Sequence, residues 1–332
     1  MVVDDGKDID TVETKRLNSR SNKDGDHDAK CLHLQDIAQG TIKAIEDGYV
    51  DFPDTNMRLT RHNIRQSAND TVCGTEYFEP DTPWLKCWWK GPLHGAESRG
   101  KKSGVAVRIL EMSTLQGAHF LSQSRPAFKI GVLNFASATQ PDGEFLNSFS
   151  AQEGSITRSS TLYLSLQTRQ ASPFYELHRR DNGGGYYSHA MIYSPSVTIF
   201  WNDNGGWLCP YHVDIVTSRA VNAGLLRKLR SPETESIILS VMKERMGRIL
   251  ALFERSGIRN LVLGSFETGF LHNDVESLAR IWGDLLCAPG ARFADSFDQV
   301  IFAIRDSYTG QKFEIGFNVV AQPTKAATRI QS

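Results

Sequence analysis

Residues 130–166 read IGVLNFASATQPDGEFLNSFSAQEGSITRSSTLYLSL, and this stretch decides the fold because a strand, a loop and a helix are predicted in direct succession. Residues Ile130–Phe135 are apolar and partly β-branched, which is typical of a buried strand. Residues 140–143, QPDG, form a turn signal, and a helical pattern begins at Ser150. In open α/β sheets, ligands bind just beyond the carboxyl ends of strands, where loop amides and helix N-termini converge. We therefore predict a binding site in this loop.

Apolar segments on both sides of this stretch alternate between strand and helix patterns, which indicates an α/β fold. Further strands are predicted at Val105–Leu110, Val197–Phe200, Val213–Thr217, Asn260–Leu263, Val300–Ile304 and Lys312–Val320. Helices are predicted at Leu34–Ile45, with Gly48 as C-cap, and at Met112–Gln123, Pro232–Gly257 and Val275–Leu286. Residues 49–102 show no clear period and are interpreted as a long irregular connection that includes short strands.

The composition is that of an ordinary globular protein. Its 37 Lys and Arg residues nearly balance its 38 Asp and Glu residues, so bulk electrostatics gives no support to direct nucleic-acid binding. Five cysteines are scattered without a CxxC pair, which favours a reducing, intracellular compartment, cytoplasmic or nuclear. No apolar run approaches the roughly 18 to 20 residues of a membrane span, so no membrane association is predicted. We predict no cofactor and no metal, because no ligand cluster of defined spacing is present.

Three segments differ in composition along the chain. Residues 1–30 are rich in Asp, Lys, Asn, Ser and Gly and contain few large apolar residues, which predicts a disordered tail. Residues 31–322 contain the predicted strands and helices and are interpreted as one domain. Residues 323–332 form a short polar tail.

Two short motifs have both a functional and a structural interpretation. Trp84, Trp88 and Trp89 lie close together in PWLKCWWKG and could stack on a base or sugar, but covering the edge of the core is favoured. Residues 95–103, GAESRGKKS, are a near miss to the phosphate-binding pattern GxxxxGKS/T. A strand is predicted after this segment, where that pattern requires a helix, so we interpret it as a basic surface loop.

Several motifs occur in an order that resembles the microbial type of poly(ADP-ribose) glycohydrolase, a family with a macrodomain-like fold. They are VLNFASA (132–138), RSSTLY (158–163), FYELHRR (174–180), IYSPSVTIF (192–200), VTSRAVNAG (216–224) and LVLGSFETGFLHND (261–274). The likeness extends over roughly residues 34–320. It implies a three-layer α/β/α macrodomain-like fold with a central mixed sheet.

Three motifs of that family are altered in this chain. Its NPGGGF loop is QPDGEF here, with Asp142 and Glu144 in place of two glycines. Its QEE triplet is Gln-Glu-Gly here, so that Gly154 stands where the family has the usual candidate for the catalytic acid. Its GAWGCGVF loop is GSFETGFL here, with Glu267 in place of a glycine.

The resemblance also implies which residues form the site. Cleavage of an ADP-ribose linkage needs a carboxylic acid that protonates the leaving oxygen. The implied catalytic residues are Glu153 and, as a relocated acid, Glu144. The implied ligand-binding residues are those of the strand end, the first loop, the helix start and the second loop: Asn134, Gly143, Phe145, Gln152, Gly264, Gly269 and Phe270.

Three functions remain open at this stage. The favoured one is a catalytically impaired protein that binds an ADP-ribose-like small molecule, an ADP-ribosylated protein or another partner, because losing a general acid costs about 100- to 10,000-fold in rate. Carboxylates near the expected diphosphate also oppose binding, by roughly 1 to 4 kcal/mol for each like charge at about 4 Å. The alternative is an active hydrolase of an ADP-ribosyl or ribosyl linkage that uses Glu153, possibly with Glu144. A lower-ranked option is a protein-interaction role for residues 1–30 and 49–102.

Overall fold

A mixed β-sheet forms the centre of the molecule. The computed structural model describes residues 32–54, 56–91, 104–124, 128–137, 140, 145, 152–180 and 184–321. The strands are β1 Tyr49–Pro53, β2 Leu59–Asn63, β3 Glu76–Phe78, β4 Ala106–Leu110, β5 Ile130–Phe135, β6 Met191–Trp201, β7 Trp207–Ser218, β8 Asn260–Leu263 and β9 Gln299–Ala303. Strands β1 and β2 form a separate antiparallel hairpin, and the other seven form the central sheet.

The order of strands in the central sheet is β3-β6-β7-β5-β8-β9-β4. Strands β7, β5, β8, β9 and β4 run parallel to one another, whereas β6 is antiparallel to β7 and β3 is antiparallel to β6. The predicted mixed sheet is therefore confirmed. Strand β5 has neighbours on both sides and helices on both faces, which explains why its sequence is almost continuously apolar.

Helices cover both faces of the sheet. They are α1 at residues 32–47, α2 Arg65–Cys73, α3 Pro83–Lys86, α4 Thr114–Ser124, α5 Gln152–Arg158, α6 Leu162–Leu166, α7 Ser172–Arg180, α8 Ala223–Leu226, α9 Thr234–Arg255, α10 Val275–Leu286 and α11 Ser307–Ala321. Successive side chains of β5 point to opposite faces. Val132 belongs to the core under α4 to α7, and Leu133 belongs to the core under α8 to α11. This arrangement confirms the three-layer α/β/α fold.

Helix α1 and the hairpin β1–β2 lie at the far end of the β6–β7 pair. Gly48 ends α1 with a φ of +76°, and its amide donates to the carbonyl of Ala44 at 2.9 Å, which confirms the predicted cap. Ile37 of α1 packs with Phe200 and Trp201 of β6 in a small separate core. Across the part of the chain that the structure describes, no helix has both the length and the apolar character needed to cross a bilayer.

The predicted strand at Lys312–Val320 is wrong, because these residues belong to helix α11. Phe313, Gly316 and Phe317 are buried at steps of three and four residues, which is the helical period. Ile315 and Val319 are apolar residues on the other side of the helix, and they are 58% and 60% exposed. Apolar residues occur at every second position from Phe313 to Val319, which is the spacing of a strand, although these residues belong to an amphipathic helix.

The described part of the connection at residues 49–102 contains short strands, as predicted, but it also contains two helices, α2 and α3, that were not predicted. Residues 49–91 contain β1, β2, α2, β3 and α3. Helix α2 buries only Ala68 and Thr71, so it carries almost no apolar pattern. Trp88 is 9% exposed and stacks on Phe293 with ring centroids 6.0 Å apart, which confirms its core role, whereas Trp89 is 56% exposed.

Several predicted features lie outside the described residues. They are the two tails at residues 1–30 and 323–332, the basic loop at residues 95–103, and most of the QPDG turn at residues 140–143. The domain limits that depend on them stay predictions.

Candidate functional site

The carboxyl ends of three parallel strands meet at one edge of the sheet. Phe135, the last residue of β5, pairs with Ser218 of β7, and Val132 of β5 pairs with Val262 of β8. The loop after β5 comprises residues 136–151, and the loop after β8 comprises residues 264–274. Both loops therefore begin at neighbouring points, as the sequence predicted for a ligand site.

Glu153 lies in the first turn of α5 and is 1% exposed. Its Oε1 accepts a hydrogen bond from Nδ2 of Asn134 at 3.1 Å, and its Oε2 accepts one from the backbone amide of Ser137 at 2.6 Å. Two N–H donors thus stabilise a buried carboxylate, which would be costly without them. The carboxylate joins the start of α5 to the end of β5.

Asn134 occupies the centre of this edge. Its Nδ2 also donates to Oγ1 of Thr217 on β7 at 3.1 Å, so one side-chain amide connects α5, β5 and β7. The residue is fully buried, and its Oδ1 has no hydrogen-bond partner within the described residues. A buried acceptor without a partner is uncommon in proteins and needs an explanation such as a bound group.

Gln152 fixes the beginning of α5 to the sheet. Its Oε1 accepts a hydrogen bond from the amide of Phe135 at 2.7 Å, and its Nε2 donates to the carbonyl of Leu133 at 2.8 Å. The same Nε2 donates to Oγ1 of Thr114 on α4 at 3.0 Å. These bonds occupy both ends of the amide, so the described contacts of Gln152 position the helix that carries Glu153.

Gly154 and Phe145 complete the described part of the first loop and helix. Gly154 is buried beside Glu153 and contributes no acidic group. Phe145 is 2% exposed and stacks on Tyr163 of α6 with ring centroids 4.5 Å apart. Its carbonyl accepts a hydrogen bond from Arg158, whose pKa is lowered to about 10 by burial. Gly143 and Glu144, which the sequence analysis assigned to the site, lie outside the described residues, as does Asp142.

The loop after β8 approaches β5 closely at one end and is exposed at the other. A Cβ at Gly264 would lie 2.7 Å from the ring of Phe135, so only glycine fits this contact. Gly269 has no neighbour near its missing Cβ, and Phe270 is 83% exposed. The loop therefore brings these residues to the same edge as Glu153, with Phe270 facing solvent.

Glu267 in this loop has a backbone conformation that favours glycine. Its φ is +64°, and the preceding Phe266 has a φ of +54°. The family motif that this loop resembles has glycine at the position of Glu267, so here a residue with a side chain occupies a left-handed backbone conformation. Burial raises the pKa of Glu267, and the positive charge of Arg219 opposes that rise.

Arg219 is a residue of this edge that the sequence analysis missed. It directly follows β7, is 9% exposed, and donates from Nη1 to the carbonyl of Ala136 at 2.6 Å. Its guanidinium carbon lies 5.2 Å from the ring centroid of Tyr187. The available signal was a lone arginine within the otherwise uncharged segment VTSRAVNAG, immediately after a predicted strand.

A cavity of about 340 Å³ opens on the β9 side of the loop after β8. Its wall includes Gln152 of α5 together with Thr268 and Gly269 of that loop. At its rim Asp203 accepts hydrogen bonds from Oγ of Ser113, at 2.5 Å, and from Arg305. This volume is at the lower end of the range for small-molecule pockets, roughly 300 to 1,000 Å³.

The histidines near this edge are buried or hydrogen-bonded in ways that indicate a structural role. The pKa of His189 is lowered to about 3 by burial and by the positive charges of Arg245 and Arg248, so its ring is neutral. His178 is buried and forms a hydrogen bond with Oγ of Ser188 at 3.0 Å. Among the described residues, no group of three or more His, Cys, Asp or Glu side chains is placed to hold a metal ion.

Comparison with known proteins identifies the relatives of this chain. Residues 38–202 match the family model described as microbial-type PARG, catalytic domain. The poly(ADP-ribose) glycohydrolase of Thermomonospora curvata is 33% identical, with a TM-score of 0.74 over 86% of this chain and 98% of that chain. The structure of that enzyme bound to the inhibitor ADP-HPD is similar at 32% identity, with a TM-score of 0.72 and the same coverage of both chains.

The second organism among these relatives is Deinococcus radiodurans. Its poly(ADP-ribose) glycohydrolase, solved in complex with ADP-ribose, is 30% identical, with a TM-score of 0.66 over 77% of this chain and 98% of that chain. A search of curated proteins gave no match.

Proposed function

The chain belongs to the microbial-type poly(ADP-ribose) glycohydrolase family, and from this membership we propose that it binds an ADP-ribose-like ligand and hydrolyses it slowly or not at all. The site is the edge where β7, β5 and β8 end. Relatives bind ADP-ribose and ADP-HPD, which supports a ligand of this class. The same group attached to a protein would present the same chemistry to the site.

The ligand would extend across both loops. The cavity beside Gln152 and Thr268 is suited to the nucleoside end, because it is concave and has polar groups at its rim. The loops after β5 and β8 would flank the diphosphate. The terminal ribose would then lie near Glu153 and Asn134, whose unpartnered Oδ1 could accept a hydrogen bond from a sugar hydroxyl.

The observation that carries the proposed impairment is Gly154 beside Glu153, whose two carboxylate oxygens each accept a hydrogen bond. Glycosidic cleavage needs a carboxylic acid that can give its proton to the leaving oxygen. Glu153 accepts hydrogen bonds at both oxygens, which stabilises its charged form, and the next position has no side chain. The expected cost of the missing acid is about 100- to 10,000-fold in rate.

A second candidate function is active hydrolysis that uses Glu153, possibly with Glu144 as the acid. The observation in its favour is the position of Glu153 at the start of α5, next to the end of β5. A carboxylate there could orient the ribose or activate water.

An intracellular location accompanies either function. Cys73, Cys87, Cys209 and Cys287 are free thiols, and free thiols persist where the surroundings are reducing.

Calorimetric titration of the full chain with ADP-ribose, followed by a hydrolysis assay on poly(ADP-ribose), tests the proposal. We expect micromolar binding and hydrolysis close to the background rate. The variant Glu153→Gln should weaken binding, and the exposed control Glu314→Gln on α11 should not. Absence of ADP-ribose binding would overturn the proposed ligand. Rapid hydrolysis that is lost in Glu153→Gln would favour the second candidate.

A further inference from the structure

Strand β2 lies at the edge of a two-stranded sheet. Strand β1 is the one described strand that pairs with it, and the two are antiparallel. The amide of Ile64 donates to the carbonyl of Gly48 at 3.0 Å, and the amide of Asp54 donates to the carbonyl of Arg58 at 2.9 Å. Hydrogen-bonded pairs alternate with non-bonded pairs in an antiparallel ladder, so the even-numbered residues of β2 are those that bond to β1.

The odd-numbered residues of β2 carry the free backbone groups of this edge. They are Leu59, Arg61 and Asn63, whose N–H and C=O groups point away from β1. An unpaired strand edge is a template on which an extended chain can add as a further strand. The backbone of β2 therefore offers hydrogen bonds to a partner in an extended conformation.

The hairpin is held rigidly, both against the molecule and at its turn. Val50 and Phe52 of β1 are buried in the small core beside α1. At the turn, Oδ1 of Asp54 accepts hydrogen bonds from the amides of Asn56 and Arg58 at 2.8 and 2.9 Å. A rigid edge loses little conformational entropy when a partner binds to it.

The tip of the hairpin exposes apolar side chains. Met57 and Leu59 are 83% and 79% exposed, and the exposed Pro53 lies opposite Leu59 in the ladder. Leu59 belongs to the unpaired edge itself. An apolar side chain of an added strand would cover Leu59 and remove apolar surface from water.

Positive charge without an acidic partner lies at both ends of β2. Arg58 is exposed and has no such partner among the described residues, and Arg65 donates to the neutral carbonyl of Asp47 at 2.8 Å. Arg61 is different, because it forms two hydrogen bonds of 2.8 Å with the carboxylate of Asp51. The charge of Arg61 is therefore balanced within the hairpin, whereas those of Arg58 and Arg65 are available to a partner.

The charge of this edge selects among possible partners. Antiparallel pairing of β2 with the β2 of a second copy would bring the arginines of both copies into one strip, and like charges on neighbouring strands oppose pairing. A strand with acidic residues has the complementary charge. The edge is thus suited to an acidic segment of another protein.

We propose that the outer edge of β2 docks an extended, acidic segment of a partner protein, which adds to the hairpin as a third strand. Backbone hydrogen bonds to Leu59, Arg61 and Asn63 would hold the segment in place. Arg58 and Arg65 would select for acidic side chains near its ends. None of these residues belongs to the proposed ligand site, so this docking role is independent of hydrolysis.

A blocked synthetic peptide of alternating Glu and Val is the probe, and amide hydrogen exchange of the full chain followed by NMR is the measurement. We expect the peptide to slow exchange at the outward amides of Leu59, Arg61 and Asn63 by at least about tenfold, because these amides would gain hydrogen bonds. Exchange at Thr60 and His62, which already bond to β1, should stay unchanged. A peptide of alternating Lys and Val, with the opposite charge, should not bind.

Two variants separate the charge of the edge from its backbone groups. We expect Arg58→Glu to weaken binding of the Glu and Val peptide by at least about tenfold, because it places like charges together. The matched control is Lys228→Glu, which makes the same change in net charge at an exposed residue outside the hairpin. Leu59→Pro removes an outward N–H without removing a bond to β1, so it should weaken binding as well.

Four results would overturn the proposal. The first is absence of binding by the Glu and Val peptide, and the second is an equal loss in Arg58→Glu and Lys228→Glu, which would show unspecific attraction of charge. The third is binding without slower exchange at the outward amides, which would place the contact elsewhere. The fourth is self-association of the wild type that protects these same amides, because a second copy would then occupy the edge. If Leu59→Pro does not fold, Arg58→Glu and the exchange measurement decide.

Discussion

Glu267 combines two unfavourable features at a single residue. A left-handed backbone at a residue with a Cβ costs about 1 kcal/mol relative to glycine. Its raised pKa means that the folded state holds the carboxyl proton more tightly than the unfolded state does. The favourable contribution of the protonated group is therefore complete at pH values below the ordinary pKa of glutamate, and it is lost as the pH rises through the raised pKa.

The variants Glu267→Gly and Glu267→Gln separate these two features. In urea unfolding at neutral pH, we expect both variants to be more stable than wild type, and Glu267→Gly to exceed Glu267→Gln by about 1 kcal/mol. Below the ordinary pKa of glutamate, Glu267→Gln should match wild type, and Glu267→Gly should keep its advantage.

The matched control for charge is Glu314→Gln, because Glu314 is exposed on α11. A loss of stability in Glu267→Gly at all pH values would contradict the account, since it would show that the carboxylate makes a favourable contact.

The positions of site residues were predicted correctly where they depend on a local sequence pattern. Asn134, Gln152 and Glu153 were predicted as one group, and the structure brings them together through hydrogen bonds between α5 and β5. The bonds that occupy Gln152 were not predictable, because they depend on where α4 meets β5. Arg219 was missed because its neighbours in space, Ala136 and Glu267, are far from it in sequence.

Helix α11 was predicted as a strand. Substitutions at its two glycines, Gly310 and Gly316, test how this helix packs. A Cβ at Gly316 would overlap the backbone of Glu276 on α10, whereas a Cβ at Gly310 would have no neighbour within 4 Å. We expect Gly316→Ala to destabilise the protein by about 1 to 3 kcal/mol through overpacking. Gly310→Ala should stabilise it by roughly 0.5 to 1 kcal/mol, because alanine favours the helix.

Urea unfolding of both variants beside the wild type gives these values. Each variant controls for the other, because both add one methyl group to the same helix. Similar effects of the two substitutions would contradict the close contact between α10 and α11.

Strands and helices were predictable in two cases. One is a strand that is buried on both faces and so has a continuous apolar run, and the other is a helix with a strong 3.6-residue apolar period. Strand β5 is such a case, and α9 is another, with Met242 and Met246 fully buried among apolar residues. Strands β6 and β7 extend beyond the predicted ranges through Pro195 and Pro210, which lack the backbone N–H of a strand ladder and so interrupt the predicted pattern. Strand β2 has an almost wholly exposed sequence, so no apolar pattern marks it.

The whole molecule keeps the family fold while parts of its site have changed. The order of strands and helices was predictable because alternating apolar segments allow few topologies, and the family motifs occur in sequence order. The state of the site was less predictable, because the hydrogen bonds and charges around Glu153 and Glu267 depend on contacts between segments that are distant in sequence. The proposed function requires that the family site persists without an acid at position 154.

Restoring that acid is the most direct test of the claim. We would measure poly(ADP-ribose) hydrolysis by the wild type, by Gly154→Glu, and by Gly154→Gln as a control of equal size without an acidic group. We expect Gly154→Glu to hydrolyse the polymer at least about 100-fold faster than both other proteins, because a general acid contributes about 100- to 10,000-fold. A wild type that already hydrolyses the polymer rapidly, with no gain in Gly154→Glu, would contradict the account.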